Sequence, residues 1–172
     1  MCITLEKPRL EWADGYHAML RASIKHDGDY PYNNTSLALS DFDTFVQELQ
    51  DEAKGVDLPE GIPRQQTYFI VLDGKIVIGE LRYRPSISAP YEQYNGHIGS
   101  NLHPSYRGKG YGTVATRLAL DIAKADGLSG VQVTVEGQNP ASVRVIEKLG
   151  GAQQKQFSVE GQIVTAFWIP LD

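Results

Sequence analysis

Cysteine is almost missing from this chain: Cys2 is the only one. No disulfide can form within the chain, and no cysteine-based zinc site exists. Basic excess is also missing. Sixteen Lys and Arg stand against 21 Asp and Glu, a net charge of −5. That excludes a broad basic surface for nucleic acid, and it suits cationic partners as well as plain solubility. No apolar run is long enough to span a membrane, and nothing resembles a signal peptide. A reducing cytoplasm is the expected home. There is no internal repeat and no low-complexity segment. What remains is ordinary globular composition, 41% hydrophobic and 22% charged over 172 residues. That is the size of one domain with a sizeable core.

Little pattern marks the first forty residues beyond a helix over 14–25, with Tyr16, Met19, Leu20 and Ile24 near one face. The segment 26–35 reads as a loop through Asp27-Gly28-Asp29 and Asn33-Asn34. Ser40 or Asp41 can cap a second helix whose Phe42, Phe45, Val46 and Leu49 recur at helical spacing. After a loop over 55–66, the period changes to that of strands. Residues 67–72 and 75–83 form a hairpin around Asp73-Gly74. A loop with Pro85 and Pro90 follows over 84–95, then a strand over 97–102. A glycine-rich turn leads into a helix bearing Ala115, Leu118, Ala119 and Ile122, with Gly127 as its stop. A short strand covers 131–135. Asn139 caps the next helix, with Pro140 at its first position. A hairpin over 153–159 and 163–169, turned near Gly161, closes the chain. The class is α/β of the α+β type, a single domain over 1–172 with a mixed sheet covered by helices.

The chemistry concentrates in Arg107-Gly108-Lys109-Gly110-Tyr111-Gly112. A helix N-terminus offers unpaired N–H groups and the positive end of a dipole. A pyrophosphate sits there if glycine lets the backbone approach. Arg107 and Lys109 add positive charge. A nucleoside-triphosphate loop would need Ser or Thr after Gly108-Lys109, where Gly110 stands. A dinucleotide fingerprint matches Gly108 and Gly110 but meets Thr113 at the third glycine, and Glu136 mimics its ribose-binding acid. A proline-containing segment, 103–106, separates strand from glycines, which counts against it.

Arg107-x-x-Gly110-x-Gly112, preceded by Leu102-x-Pro104, resembles the coenzyme-binding motif of the GNAT N-acetyltransferase superfamily. Asn139-x-x-Ser142, followed by Ile146-x-x-Leu149-Gly150, is similar to the Asn-x-x-Ala/Ser helix of that family. The resemblance is firm over 97–151 and looser on either side. Gly96-His97-Ile98-Gly99 and Arg107 to Tyr111, with Glu147-Lys148-Leu149-Gly150-Gly151, look most like one branch of predicted acetyltransferases within it. It implies a splayed central sheet flanked by helices, a coenzyme core over 67–172, and a variable helical acceptor side over 1–66. It implies acetyl-CoA as co-substrate and an amine acceptor that attacks the thioester directly. Backbone at Leu102 would bond the pantetheine arm, and an N–H there would hold the oxyanion. Amides of Gly108, Lys109, Gly110, Tyr111, Gly112 and Thr113 would hold the pyrophosphate, with Asn139 and Ser142 shaping the cleft. Dimers are common in such proteins, so a homodimer is compatible.

Two family features are missing. Ile146 stands where many members carry an acidic tyrosine, and Thr134 where some carry a glutamate. A coenzyme-binding module without turnover therefore stays open beside the enzyme, as does a dinucleotide oxidoreductase. Three residues are candidates for the base that neutralises the amine. Glu80 lies on a hairpin strand, where a solvated face is its ordinary reading. Glu136 ends a strand and reads equally as an exposed loop acid. His97 begins a strand, where a hydrogen-bonded structural histidine is its ordinary reading. Arg82 and Arg84 suit an acidic acceptor group or surface pairing. Tyr68, Tyr30 and Tyr32 suit the acceptor cleft or packing. His17, His26 and His103 have no metal-ligand spacing, so no metal is expected.

Overall fold

A computed structural model describes residues 1–88 and 95–171. Part of the predicted 84–95 loop, including Pro90, lies outside the described residues. Among the described residues, seven strands and five α-helices follow in the order β1 (Ile3–Glu6), α1 (Ala13–Asp27), α2 (Thr35–Ser40), α3 (Phe42–Lys54), β2 (Gln66–Leu72), β3 (Ile76–Tyr83), β4 (Ile98–Leu102), α4 (Tyr111–Ala125), β5 (Gly130–Glu136), α5 (Pro140–Lys148), β6 (Ala152–Val159) and β7 (Gln162–Pro170). Strand β1 and the short helix α2 carry no strong sequence signal. β1 holds its place by tertiary pairing, Ile3 opposite Leu72 through Glu6 opposite Phe69.

The strands form two sheets, β1-β2-β3-β4 and β5-β7-β6. Each ladder is antiparallel. The expected splay is realised as a gap between β4 and β5. The sheets meet where His97 N–H donates to Gln132 O at 2.8 Å. Gly96 permits that approach, because a Cβ there would collide with the Gln132 carbonyl. The antiparallel ladders remove the doubly wound dinucleotide alternative, which needs a parallel sheet.

β2 is buried on both faces, which explains its unbroken apolar run. Phe69 and Val71 face α1 and α3, where Tyr16, Met19, Leu20, Phe45 and Leu49 form one core. Ile70 and Leu72 face α4 and join Ala115, Ala119, Val131, Ile146 and Ile169 in the other. A bulge between Ile70 and Val71 leaves one extra residue on β3. It changes the phase of alternation. Ile78 and Leu81 therefore share the α4 face, and Glu80 turns toward α1.

Candidate functional site

A cleft of about 1750 Å³ opens between the splayed strands and continues to α3. It exceeds the roughly 300–1,000 Å³ of an ordinary small-molecule site, so it has room for two reactants. One arm is β4. Arg84 N–H donates to His97 O at 2.7 Å and His103 N–H to Ile78 O at 2.8 Å. In an antiparallel ladder the bonded pairs alternate. Odd-numbered residues of β4 thus bond β3, and the N–H and C=O groups of Ile98, Ser100 and Leu102 turn toward the gap. An extended chain laid there would find a strand edge ready to pair.

At the open end of the gap stands the N-terminus of α4. Gly110 caps it with φ of 84° and Gly108 has φ of 73°, both left-handed and suited to glycine. Gly112 lies inside the helix and lines the cleft. A Cβ there would make only ordinary contacts, 3.7 Å to Leu102 and 3.9 Å to Val145. The protein's own packing therefore leaves space at Gly112 that a ligand can use. Thr113 lines the same wall, and Asn139 and Ser142 line the opposite arm. The Asn139 carboxamide oxygen accepts from the Ser142 N–H at 3.1 Å, capping α5.

Other residues of the loop behave differently from expectation. Arg107 lines the cleft, but its charge is already engaged. Its Nε donates to Leu102 O at 2.9 Å, and its two terminal nitrogens bind Asp27 at 3.0 and 2.5 Å. This bidentate pair holds the Asp27 carboxyl well below the usual carboxylate range. Lys109 lies over the Tyr106 ring, 5.4 Å from its centroid. Tyr111 donates its hydroxyl to the Met1 sulfur at 2.9 Å. Neither side chain lines the cleft. Ile146 is buried in the core, with one edge on the cleft.

The three base candidates fall in three places. Glu80 is not on a solvated face; it has no exposed surface at all. The bulge in β3 turns it inward. There it accepts from Tyr16 Oη at 2.8 Å, Asn33 Nδ2 at 2.9 Å and, very closely, Arg82 Nη1. Three donors saturate it beneath the cleft floor. His97 is buried outside the cleft lining, and its Nδ1 accepts from the Gln132 N–H at 2.9 Å. Burial lowers its pKa. It fastens one sheet to the other. Glu136 is exposed at the end of β5 and does line the cleft.

Arg82 and Arg84 are not surface residues either. Both are buried and both reach the cleft. Arg82 also bonds Asn101 Oδ1 at 2.9 Å, and the Tyr32 ring lies over its guanidinium at 4.4 Å. Tyr30 is buried and bonded to Asn101, whereas Tyr32 lines the cleft. Tyr68 packs on the α4 side, away from it. Sequence reasoning missed the wall formed by α3, where Glu48, Asp51 and Glu52 line the cleft. The signal was there. Phe45 and Leu49 face the core, and Glu52 stands at the next position of their stripe. Among the described residues, no three His, Cys, Asp or Glu side chains gather to hold a metal. No helix of the described residues is long and apolar enough to cross a membrane.

The family model described as Acetyltransferase (GNAT) domain matches residues 3–152. None of the curated proteins compared matches the chain. Solved structures do. The microcin self-immunity acetyltransferase MccE, in complex with acetyl-CoA and AMP, is 18% identical with a TM-score of 0.69, over 98% of this chain and 92% of its own. The aminoglycoside acetyltransferase AAC(6')-Ib, in complex with coenzyme A, is 17% identical with a TM-score of 0.69, over 98% and 95%. A spermidine N-acetyltransferase chimera of Vibrio cholerae SpeG and hSSAT is 18% identical with a TM-score of 0.64, over 98% and 95%.

Proposed function

Because the chain belongs to the GNAT acetyltransferase family, a family of acyl-CoA N-acyltransferases that use acetyl-CoA, we propose that it transfers acetyl from acetyl-CoA to a primary amine by direct attack on the thioester. One observation carries the reading. The edge of β4 that no strand pairs, with Leu102 O held by Arg107, and the glycine-lined start of α4 open onto the same cleft, as a pantetheine arm ending in a pyrophosphate requires.

Each part of the chain then has a task. Backbone groups of Ser100 and Leu102 bind the arm as an added strand. The Leu102 N–H lies beside the α4 cradle and serves the arm; the N–H groups of Ile98 and Ser100, nearer the closed end, lie where negative charge develops on the thioester oxygen. Amides from Gly108 to Thr113 hold the pyrophosphate. Asn139 and Ser142 set the width of the opposite arm. Residues 1–66 supply the acceptor side through Tyr32 and α3, and residues 67–172 the coenzyme side. Holding two reactants in register supplies much of the rate. Ile146, at the position on α5 where many members carry a tyrosine, has no proton to give; a thiolate leaves without one. The neighbours named for spermidine and aminoglycosides suggest a small polycationic amine, which the acidic α3 wall would favour. A chain without disulfides would work in the cytoplasm.

The test is thiol release from acetyl-CoA in the presence of spermidine, an aminoglycoside and free amino acids. Acceleration by one of them is expected. Binding of acetyl-CoA with no acceleration by any amine would leave a coenzyme-binding module and sink the reading.

A further inference from the structure

We infer that Glu52 on α3 is the general base that takes the proton from the acceptor amine; this rests on the acetyl-transfer reading above. Glu52 is half-buried and lines the cleft, at the end where Arg82, Arg84 and Gly96 also line it. That is the closed end of the gap between the sheets. The pyrophosphate cradle stands at the open end, so the reactive end of the arm points inward, toward Glu52.

Its carboxylate is oriented yet not consumed. One oxygen accepts from Gln65 Nε2 at 3.2 Å, and the Gln65 N–H reaches the Glu52 carbonyl at 3.4 Å. The other oxygen has no hydrogen-bond partner among the described residues. Competing carboxylates are engaged or distant. Asp27 is locked by Arg107. Asp51 accepts from Gln47 at 2.9 Å. Glu48 and Asp57 are exposed, and Glu136 is exposed on the far arm.

The charged groups acting on Glu52 among the described residues are Arg84, just past the end of β3, and Arg82 and Glu80 on β3; Glu48 and Asp51 flank it on its own helix. Burial outweighs the two arginines and raises its pKa above the ordinary carboxylate value. That brings it nearer the working pH, where a general base is most effective.

The protons balance as follows. The acceptor ammonium gives one proton to Glu52; the N–H bond breaks and an O–H bond forms. The freed lone pair attacks the thioester carbon. The C–N bond forms, the C–S bond breaks, and the sulfur leaves with its electron pair. The nitrogen loses a second proton. One of the two ends on the coenzyme thiolate and the other in solvent.

The test compares the native protein with Glu52→Gln and Glu52→Asp, using spermidine, an aminoglycoside and free amino acids as amines. Thiol release is followed from mildly acidic to mildly basic pH, and acetyl-CoA affinity by calorimetry. The expected result is a fall in kcat of about 100-fold or more for Glu52→Gln, with acetyl-CoA affinity unchanged. The acidic limb of the native kcat profile disappears, and Glu52→Asp recovers part of the rate. Turnover within about three-fold of native, with the same limb, overturns the assignment. So does a loss in both variants that tracks weakened coenzyme binding and a lower Tm, which would make Glu52 structural. If native protein binds acetyl-CoA but no amine accelerates thiol release, the transfer reading falls, and this inference with it.

Discussion

Arg107 grips Asp27 across 80 positions of sequence, at 3.0 and 2.5 Å, while its Nε holds the carbonyl of Leu102. The last turn of α1 is thereby tied to the strand edge assigned to the coenzyme arm. The family motif marks Arg107 as a coenzyme residue. The structure gives its charge an internal partner and makes it a brace between the two sides of the cleft.

Breaking the brace should loosen coenzyme binding more than the fold. Asp27→Asn is expected to weaken coenzyme A binding about three- to five-fold, the size of a partly exposed ion pair. The folded-state pKa of Asp27 is depressed, so its contribution is present above the ordinary carboxylate pKa and lost as pH falls below it. Calorimetry near neutral pH checks the first statement. Unchanged affinity would show that the brace does nothing for binding.

Gly112 separates stability from binding. It lies in α4, has no positive φ, and has room for a Cβ. Gly112→Ala should hold or raise Tm, since alanine gains up to about 1 kcal/mol over glycine in a helix. Gly112→Val should abolish coenzyme binding while the domain still melts cooperatively. Gly110→Val should also abolish binding, but with some loss of stability because φ there is 84°. A Gly112→Val protein that binds coenzyme normally would refute the cradle.

The Glu80–Arg82 pair is buried and closely bonded. Arg82→Ala should cost about 3–5 kcal/mol in denaturant unfolding, because it leaves a buried carboxylate short of its cation. Glu80→Gln combined with Arg82→Met should recover much of that loss. Equal losses in the single and double variants would mean that the pair is not a unit.

Protonation of His97 should unfasten the two sheets. Its folded-state pKa is lowered by burial, so the neutral form stabilises the fold. That stability is present above the ordinary histidine pKa of about 6.5 and is lost as pH falls through the lower folded value. Native protein should therefore lose stability in mild acid where His97→Ala does not. Parallel curves for the two would remove His97 from the acid response. None of His97, Glu80 and Glu136 should be indispensable for turnover.

Local chemistry made much of this molecule legible. Asp73-Gly74 and Glu160-Gly161 adopt left-handed φ at their hairpin turns, and Asn139-Pro140 starts its helix. The cradle at Gly108 to Gly112 could be read because its glycines answer a local steric demand. Contacts over long range were not legible. β1 exists because β2 needs a partner. Glu80 looks solvent-facing until the bulge at Ile70/Val71 shifts its phase. The α3 wall depends on where a helix docks, and Glu52 is polar in a stripe otherwise read as core.

The most direct test is a calorimetric titration of the native protein with acetyl-CoA, coenzyme A and NADH. The account predicts that both coenzyme A species bind, that NADH does not, and that Gly112→Val binds none. Binding of NADH alone, or of no ligand by a folded native protein, would contradict it.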